Sequence, residues 1–461
     1  MRNQVCVIGQ GYVGLTLSAV MAEVGFEVLG LEEDEEKLAA MKENNLHVEE
    51  PELDTTIATQ RQLGNLEFAR DTDVPTAKER TVYIVAVGSP LGPNKRPDVG
   101  IVRSAVESVA SVLDEGDLVI LRSTIPPGTT QRMAEVIEES SGLKPGEEFL
   151  LAHAPERTLQ GSALAELRGL PQVIGGYDER SADVAEDIFR KVNDTVIRVD
   201  SARAAEMVKL MDNTYRDVSI ALGNAFGELA RAHGLDGQSL IAAANKGYGR
   251  NDIKQPGAGV GGGCLPKDPY LLLDEFESDG HVAREYVERL ISTARSLNEE
   301  MPHVTVAMIE DAIDDVGHPC SGLDTVVLGA AFKGQPATND IRHTPAGPII
   351  EAMNKHGAVD AFDPNVEDEK IRALGAEPVD VPAPEKLTEL VVRRDYDVVV
   401  IANNNPVFKE IDLFRVQEER NGVTILVDGW GLYSPQTVEN VGLKYVGVGR
   451  SPEYGQPSTL D

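Results

Sequence analysis

Gln4-Val5-Cys6-Val7-Ile8-Gly9-Gln10-Gly11-Tyr12-Val13-Gly14 is the stretch on which the fold of this chain turns. Gln4 to Ile8 is a short, β-branched run and reads as a buried strand. Leu15 to Val24 then carries a helical pattern. Between them stands G-x-G-x-x-G. Its glycines allow a tight turn, close approach of a pyrophosphate, and close packing of helix on strand. The N–H groups of the helix start then face the phosphates. The pattern alone is common, but here a strand precedes it and a helix follows. Gly9, Gly11, Tyr12, Val13 and Gly14 are therefore read as cofactor-binding.

A second strand over Phe26 to Leu31 ends in Glu32 and Glu33. A carboxylate at this place accepts hydrogen bonds from ribose hydroxyls and repels a 2′-phosphate, which favours NAD over NADP. Glu32 is preferred to Glu33. Further strands are read at Thr81 to Val87, Leu118 to Leu121 and Phe149 to His153. Each ends in a polar or glycine-rich loop, and ligands of open α/β sheets gather at such carboxyl ends. Ser89 and Thr124 are thus candidates for cofactor contacts, and Glu156 and Arg157 for substrate contacts. Simple turn chemistry explains any one of these loop residues about as well.

The chain has 461 residues and a formal net charge of −33. That length calls for two or three domains. The charge should repel nucleic acid and anionic membrane surfaces. The acidic residues are scattered, not gathered in a tail, which reads as a solvated surface adapted to high salt. Three cysteines, Cys6, Cys264 and Cys320, make no disulfide framework and suit a reducing cytoplasm. No segment is long and apolar enough for a membrane helix, no signal peptide precedes the first strand, and no metal-ligand pattern stands out.

Ser201 to His233 reads as one long helix, capped by Asp200 or Ser201 and ended by Gly234, a spine between two α/β units and a dimer contact. Lys209 and Asn213 lie at i and i+4 on one face. A basic, glycine-rich segment, Lys246-Gly247-Tyr248-Gly249-Arg250-Asn251, follows in an otherwise acidic chain. Next comes Gly261-Gly262-Gly263-Cys264-Leu265-Pro266-Lys267-Asp268. If a helix begins here with Pro266 in its first turn, Cys264 sits at the positive end, which favours thiolate. Asp268 would then share its face as a base. The bland alternative is a core cysteine behind a glycine turn. A helix over Tyr286 to Ile313 leads to strands at Asp324 to Leu328, Val359 to Phe362, Asp397 to Ala402 and Thr424 to Val427. This second α/β unit lacks the phosphate fingerprint. Lys333 and Arg342 are its notable cations. From Ser451 onward a Pro/Gly/Ser-bearing tail is expected to be mobile.

The fold class expected is therefore α/β, with two Rossmann-like doubly wound domains joined by a long central helix and a small helical domain. Boundaries are set at 1–200, 201–300 and 301–461.

In order, the chain carries Val7 to Gly14, Glu50-Pro51-Glu52-Leu53-Asp54, Ser123-Thr124-Ile125-Pro126-Pro127-Gly128-Thr129-Thr130, Glu206 to Asn213, the Cys264 loop, and Phe332-Lys333 followed by Asp340-Ile341-Arg342-His343-Thr344-Pro345. With these motifs it resembles the UDP-glucose/GDP-mannose dehydrogenase family over nearly its whole length. Pro155-Glu156-Arg157-Thr158-Leu159 looks like the branch acting on UDP-N-acetylhexosamines, notably UDP-N-acetylmannosamine. UDP-glucose and UDP-N-acetylglucosamine stay open. The resemblance implies a four-electron oxidation of a sugar C6 hydroxyl with NAD, through a thioester on Cys264. Lys209 and Asn213 would stabilise the oxyanion, and Asp268, Glu156 and Thr124 would position water. Glu156, Arg157, Lys209, Asn213, Gly261, Lys333 and Arg342 would contact the UDP-sugar, with Arg250 reaching a partner subunit's site in a homodimer or larger homo-oligomer. A role in polysaccharide or glycoprotein glycan synthesis follows from the same resemblance. Gly88-Ser89-Pro90, Gly263, Asn403-Asn404-Asn405 and Trp430 depart from the family pattern. A two-electron hydroxyacid dehydrogenase and a silent nucleotide-sugar binder are the competing classes.

Overall fold

The structure is a computed structural model. It describes residues 4–70, 81–274, 283–383, 386–419 and 424–452. The expected mobile tail lies outside them beyond Pro452. The chain forms two compact units, Met1–Asn213 with Lys267–Arg284, and Thr214–Pro266 with Glu285–Asp461.

The first unit is built on eight strands: β1 (Gln4–Ile8), β2 (Glu27–Glu32), β3 (Leu66–Arg70), β4 (Val82–Val85), β5 (Leu118–Leu121), β6 (Leu150–His153), β7 (Gln172–Gly176) and β8 (Val196–Arg198). Their order is β3-β2-β1-β4-β5-β6-β7-β8. All neighbours are parallel except β6 with β7. Parallel strands need covered faces and so read as continuous apolar runs. Val82-Tyr83-Ile84-Val85 and Leu118-Val119-Ile120-Leu121 are buried throughout. Each such side chain contributes about 1.5–3 kcal/mol of burial. The strand order reverses between β1 and β4, and this switch point opens a crevice at the carboxyl ends.

The second unit repeats the plan with β9 (Leu323–Leu328), β10 (Gly357–Phe362), β11 (Glu377–Pro378), β12 (Val398–Ile401), β13 (Ile425–Asp428) and β14 (Lys444–Gly447). They run β11-β10-β9-β12-β13-β14, all parallel. Two Rossmann-like sheets and a long helix are thus present, as the sequence led us to expect. That helix is Ala202–Ala232, with Ser201 Oγ accepting from the Ala204 N–H at 3.2 Å and Gly234 at φ 73° behind it. Strands β3, β7, β8, β11 and β14 escaped the sequence reading. They are short edge or near-edge strands whose apolar runs are interrupted.

One expectation fails. The helix behind the cysteine is only Asp268–Leu273, with Lys267 as its N-cap and Pro269 in its first turn. Cys264 and Pro266 lie ahead of it in turn and bend. Cys264 therefore has no place at a helix N-terminus, and it shares no helix face with Asp268. Three glycines before the cysteine fix a turn that Pro266 only continues.

Candidate active site

In the first unit the glycine loop after β1 is shaped by close contacts. Gly9 has φ 88°, and its N–H donates to the Leu31 carbonyl at 2.9 Å. A Cβ on Gly14 would stand 1.8 Å from the Gly9 carbonyl oxygen, so only glycine fits. A Cβ on Gly11 would meet no protein atom within 4 Å. The helix that follows, Tyr12–Glu23, has no side-chain cap and no acidic residue in its first turn. An open glycine under uncapped N–H groups is what a pyrophosphate requires. Glu32, buried at the end of β2, accepts from the Gln10 N–H at 3.2 Å and the Asp34 N–H at 3.1 Å, one bond on each oxygen. Each oxygen keeps acceptor capacity for a ribose hydroxyl. Glu33 is exposed beyond the strand end. These residues fit a dinucleotide.

Two neighbours of this loop were not anticipated. A His47 ring nitrogen lies 3.0 Å from the Gln10 carbonyl, and burial, helped by Lys37, lowers its pKa. Glu50 accepts from the Tyr12 hydroxyl, the Gly161 N–H and the Ala163 N–H. It ties the first helix to the loop after β6. The Tyr12 side chain is thus committed to Glu50, and only its backbone faces the phosphate site.

The loops after β4, β5 and β6 come together as expected. Ser89 Oγ donates to the Thr124 carbonyl. Glu156 is buried and has little freedom: Oε2 takes Arg122 Nη2 at 2.6 Å, and Oε1 takes the N–H groups of Arg157 and Thr158, each at 2.7 Å. Burial alone would raise its pKa, but the Arg122 guanidinium and the Thr158 N–H prevail and hold it below the ordinary carboxylate value. That is an anchored carboxylate holding a loop, not one with a raised pKa suited to proton abstraction. Arg122 was missed because an arginine inside a strand-end run gives no pattern. It is 1% exposed, also donates to the Ala154 carbonyl at 3.0 Å, and lies 5.1 Å from the Phe189 ring centre. Beside it, His153 is pushed down to about 3 by burial and the same guanidinium.

Glu206, on the long helix, caps the neighbouring helix Thr129–Ser141. It accepts from the Gly128 N–H at 2.5 Å and the Thr130 N–H at 2.7 Å, and burial raises its pKa. One turn further on is Lys209, 8% exposed. Among the described residues its ammonium makes no hydrogen bond or ion pair. Asn213, one more turn along, donates Nδ2 to Asp268 Oδ2 at 2.6 Å, and Lys267 Nζ donates to Asp268 Oδ1 at 2.7 Å. Asp268 is fully buried. Arg157 Nε pairs with Asp212 Oδ2 at 3.0 Å, which brings that guanidinium to the helix beside Asn213.

In the second unit the cysteine loop packs on the Asp340–His343 segment. Gly262, at φ 91°, donates its N–H to the Arg342 carbonyl at 2.8 Å. A Cβ on Gly261 would stand 2.5 Å from the His343 carbonyl oxygen, and one on Gly263 would stand 2.6 Å from Arg342 Cζ. The Arg342 guanidinium thus lies directly on the residue before Cys264. Asp340 holds it at 2.6 Å and, with the Cys264 sulfur beyond, raises its pKa. The three cysteines differ. Cys6 is buried and pushed up to about 12, and Cys320 donates to Asp314 Oδ1 at 3.4 Å, which raises its pKa. Cys264 is exposed beside a cation. Lys333 Nζ lies 5.5 Å from the Phe332 ring centre. Arg250 is exposed, 4.5 Å from the Tyr248 ring centre. Asn403 and Asn404 hold the β9 turn through the Ala331 carbonyl and the Gly334 N–H, at 3.0 and 2.8 Å. Trp430 Nε1 donates to the Ala402 carbonyl at 2.9 Å.

Three family models match in succession: the NAD binding domain of the UDP-glucose/GDP-mannose dehydrogenase family over residues 3–193, its central domain over 203–300, and its UDP binding domain over 326–435. The chain belongs to the UDP-glucose/GDP-mannose dehydrogenase family. It is an NAD-dependent nucleotide-sugar dehydrogenase. A UDP-N-acetyl-D-mannosamine dehydrogenase of Pyrococcus horikoshii is 36% identical over 449 residues, covering 97% of this chain and 99% of that one. A solved structure of UDP-D-ManNAc dehydrogenase from Pyrococcus horikoshii superposes with a TM-score of 0.86 at 35% identity, covering 97% and 100%. An NDP-N-acetyl-D-galactosaminuronic acid dehydrogenase from Methanosarcina mazei Go1 gives 0.80 at 29% identity, covering 99% and 97%. No helix among the described residues of this family member is long and apolar enough to cross a membrane, and no described cluster could hold a metal ion.

Proposed function

We propose that this dehydrogenase oxidises C6 of a UDP-N-acetylhexosamine, foremost UDP-N-acetylmannosamine, to the carboxylate through a covalent thioester on Cys264. The observation that carries the reading is Lys209. The side chain is 8% exposed, its ammonium has no hydrogen-bond or ion-pair partner among the described residues, and it shares a helix face with Asn213, whose amide is held by Asp268. Such a pair suits an oxygen that gains negative charge during reaction. NAD, held by Gly9 to Gly14 and Glu32, would supply the hydride acceptor, and one alcohol consumes two NAD and one water to give the carboxylate, two NADH and three protons.

The protein's own groups divide the remaining work. Lys209 and Asn213 stabilise the C6 oxygen as its proton departs. The Cys264 thiolate adds to the C6 aldehyde and forms a C–S bond, with the oxygen becoming a thiohemiacetal hydroxyl. After the second oxidation the thioester carbonyl is attacked by water, the C–S bond breaks, and the thiolate returns. Thr124 and Asp268 order that water, and Glu156 holds the loop that carries Arg157. Arg342 and Lys333 hold the UDP-sugar in the second unit, and Arg342 also places positive charge beside Cys264.

The preference for an N-acetylated sugar rests on Pro155-Glu156-Arg157-Thr158 and on what the similar proteins are named. The test is NADH formed per sugar consumed, across a panel of UDP-sugars in high salt. Two NADH with UDP-N-acetylmannosamine supports the reading, and turnover with UDP-glucose alone overturns the choice of sugar. The long helix exposes Met207, Met211, Tyr215, Leu222, Phe226 and Leu229, a face suited to a second copy, with Arg250 completing the partner's sugar site. Light scattering of the full chain checks this, and a monomer with full activity refutes it. A cytoplasmic enzyme adapted to high salt, feeding uronate into surface polysaccharide or glycoprotein glycan, accords with the charge of −33. Its melting temperature should fall in dilute buffer, and identical melting in dilute buffer and molar salt counts against the salt adaptation.

A further inference from the structure

A chain of buried polar groups runs through the second unit and ends on the backbone at both sides of the cysteine loop. Asn224 Oδ1 accepts from the Gly257 N–H at 2.9 Å. Asn224 Nδ2 donates to Asn298 Oδ1 at 3.0 Å. Asn298 Nδ2 donates to the Asp217 carbonyl and to Asp217 Oδ1, each at 2.9 Å. Arg295 Nη1 pairs with the same Asp217 Oδ1 and donates to the Leu265 carbonyl at 3.3 Å. None of the four side chains is more than 1% exposed. Asn224 and Asp217 stand on the Ala202–Ala232 helix, and Arg295 and Asn298 on Arg284–Asp315. The two ends of the chain, Gly257 and Leu265, bracket the segment that delivers Cys264.

This arrangement is poorly explained by stability alone. Buried ion pairs are often replaceable by apolar residues of similar size without loss, and sometimes with gain. Here Arg295 Nε and Nη2 and Asp217 Oδ2 have no hydrogen-bond partner among the described residues, although Glu299 Oε1 lies 3.6 Å from Arg295 Nε. A network that leaves such groups unbonded is not arranged for the greatest stabilisation. It does fix two backbone points, and a nucleophile misplaced by about 1 Å can cost about a hundredfold in rate.

We propose that Asp217, Asn224, Arg295 and Asn298 are positioning residues that set Cys264 for attack on the aldehyde, acting through Gly257 and Leu265. The proposal rests on the four-electron reading above. It separates the two oxidations: the first needs no sulfur, and the second follows capture by Cys264. Stopped-flow NADH formation with a single turnover of UDP-N-acetylmannosamine in excess NAD resolves the two phases.

In Arg295→Lys and Asn298→Ala the first NADH should form within about twofold of the wild-type rate. The second should slow by about tenfold to a hundredfold, with KM for sugar and NAD within about twofold. The double variant Asp217→Leu/Arg295→Met separates position from stability, since it removes both charges together. It should melt within a few degrees of wild type and still show the slow second phase. Equal slowing of both phases, no slowing, or full recovery of the second phase in the stable double variant overturns the positioning role alone. One NADH per sugar from the wild type overturns the four-electron reading and this proposal with it.

Discussion

Replacing Lys209 by Met keeps most of the side-chain volume and deletes the ammonium. The structure gives this change a small effect on stability and a large one on rate. Lys209 is 8% exposed and makes no hydrogen bond or ion pair among the described residues, so its removal strands no partner. The 3–5 kcal/mol penalty of breaking a buried pair therefore does not arise. A volume-conserving replacement costs less than about 1.5 kcal/mol. The urea midpoint should change little. Turnover should fall, because an oxyanion donor contributes about 2.7–4 kcal/mol to the transition state, roughly a hundredfold to a thousandfold in kcat. The 2.6 Å contact of Asn213 with Asp268 does not involve Lys209, so the loss belongs to Lys209. Urea unfolding and initial-rate NADH formation on the same preparation read both quantities. A fall in stability of more than about 2 kcal/mol with kcat within tenfold would show that Lys209 is structural and not an oxyanion donor.

Arg122→Met should do the reverse, stranding the Glu156 carboxylate and costing about 3–5 kcal/mol in urea unfolding, and a loss below about 1 kcal/mol contradicts the anchoring role. The depressed pKa of Glu156 sets the sign of a pH effect: its contribution is present above the unfolded value near about 4.3 and is lost as pH falls through the folded value. Glu156→Gln should therefore shrink the drop in stability below about pH 4, and an unchanged acid limb counts against it. Glu32→Gln should raise KM for NAD by about tenfold or more, as loss of charge-assisted bonds to ribose costs about 1.5–3 kcal/mol, while NADP becomes a better substrate; unchanged discrimination would point to another residue. In Gly263→Ala the new Cβ meets Arg342 Cζ at 2.6 Å, so the guanidinium must leave its seat. Alkylation of Cys264 by iodoacetamide should then slow near neutral pH, and an unchanged rate shows that Arg342 does not act on the thiol.

The first strand, its glycine loop and Glu32 could be read from the sequence because local spacing encodes them: a β-branched run, three glycines at fixed offsets, and a carboxylate ending the next strand. The long helix was legible for the same reason. Edge strands such as β8 and β11 were not, since three or two residues carry too little pattern. The cysteine loop misled because Pro266 and the i, i+4 spacing of Cys264 and Asp268 imitate a helix start, whereas the glycines are required by Arg342 and His343, nearly eighty residues away in the chain. Arg122, Arg295 and Asp217 stayed hidden for a related reason. A buried charge is recognisable only from its partner, and Glu156 and Leu265 are partners that the tertiary fold supplies.

The thioester is tested most directly by quenching the enzyme in acid during turnover with UDP-N-acetylmannosamine and NAD, and measuring the mass of the peptide that carries Cys264. A sugar nucleotide adduct on that sulfur, absent without NAD, is the result expected. Acid product accumulating with no adduct on Cys264, and a Cys264→Ala variant still forming two NADH per sugar, would contradict it.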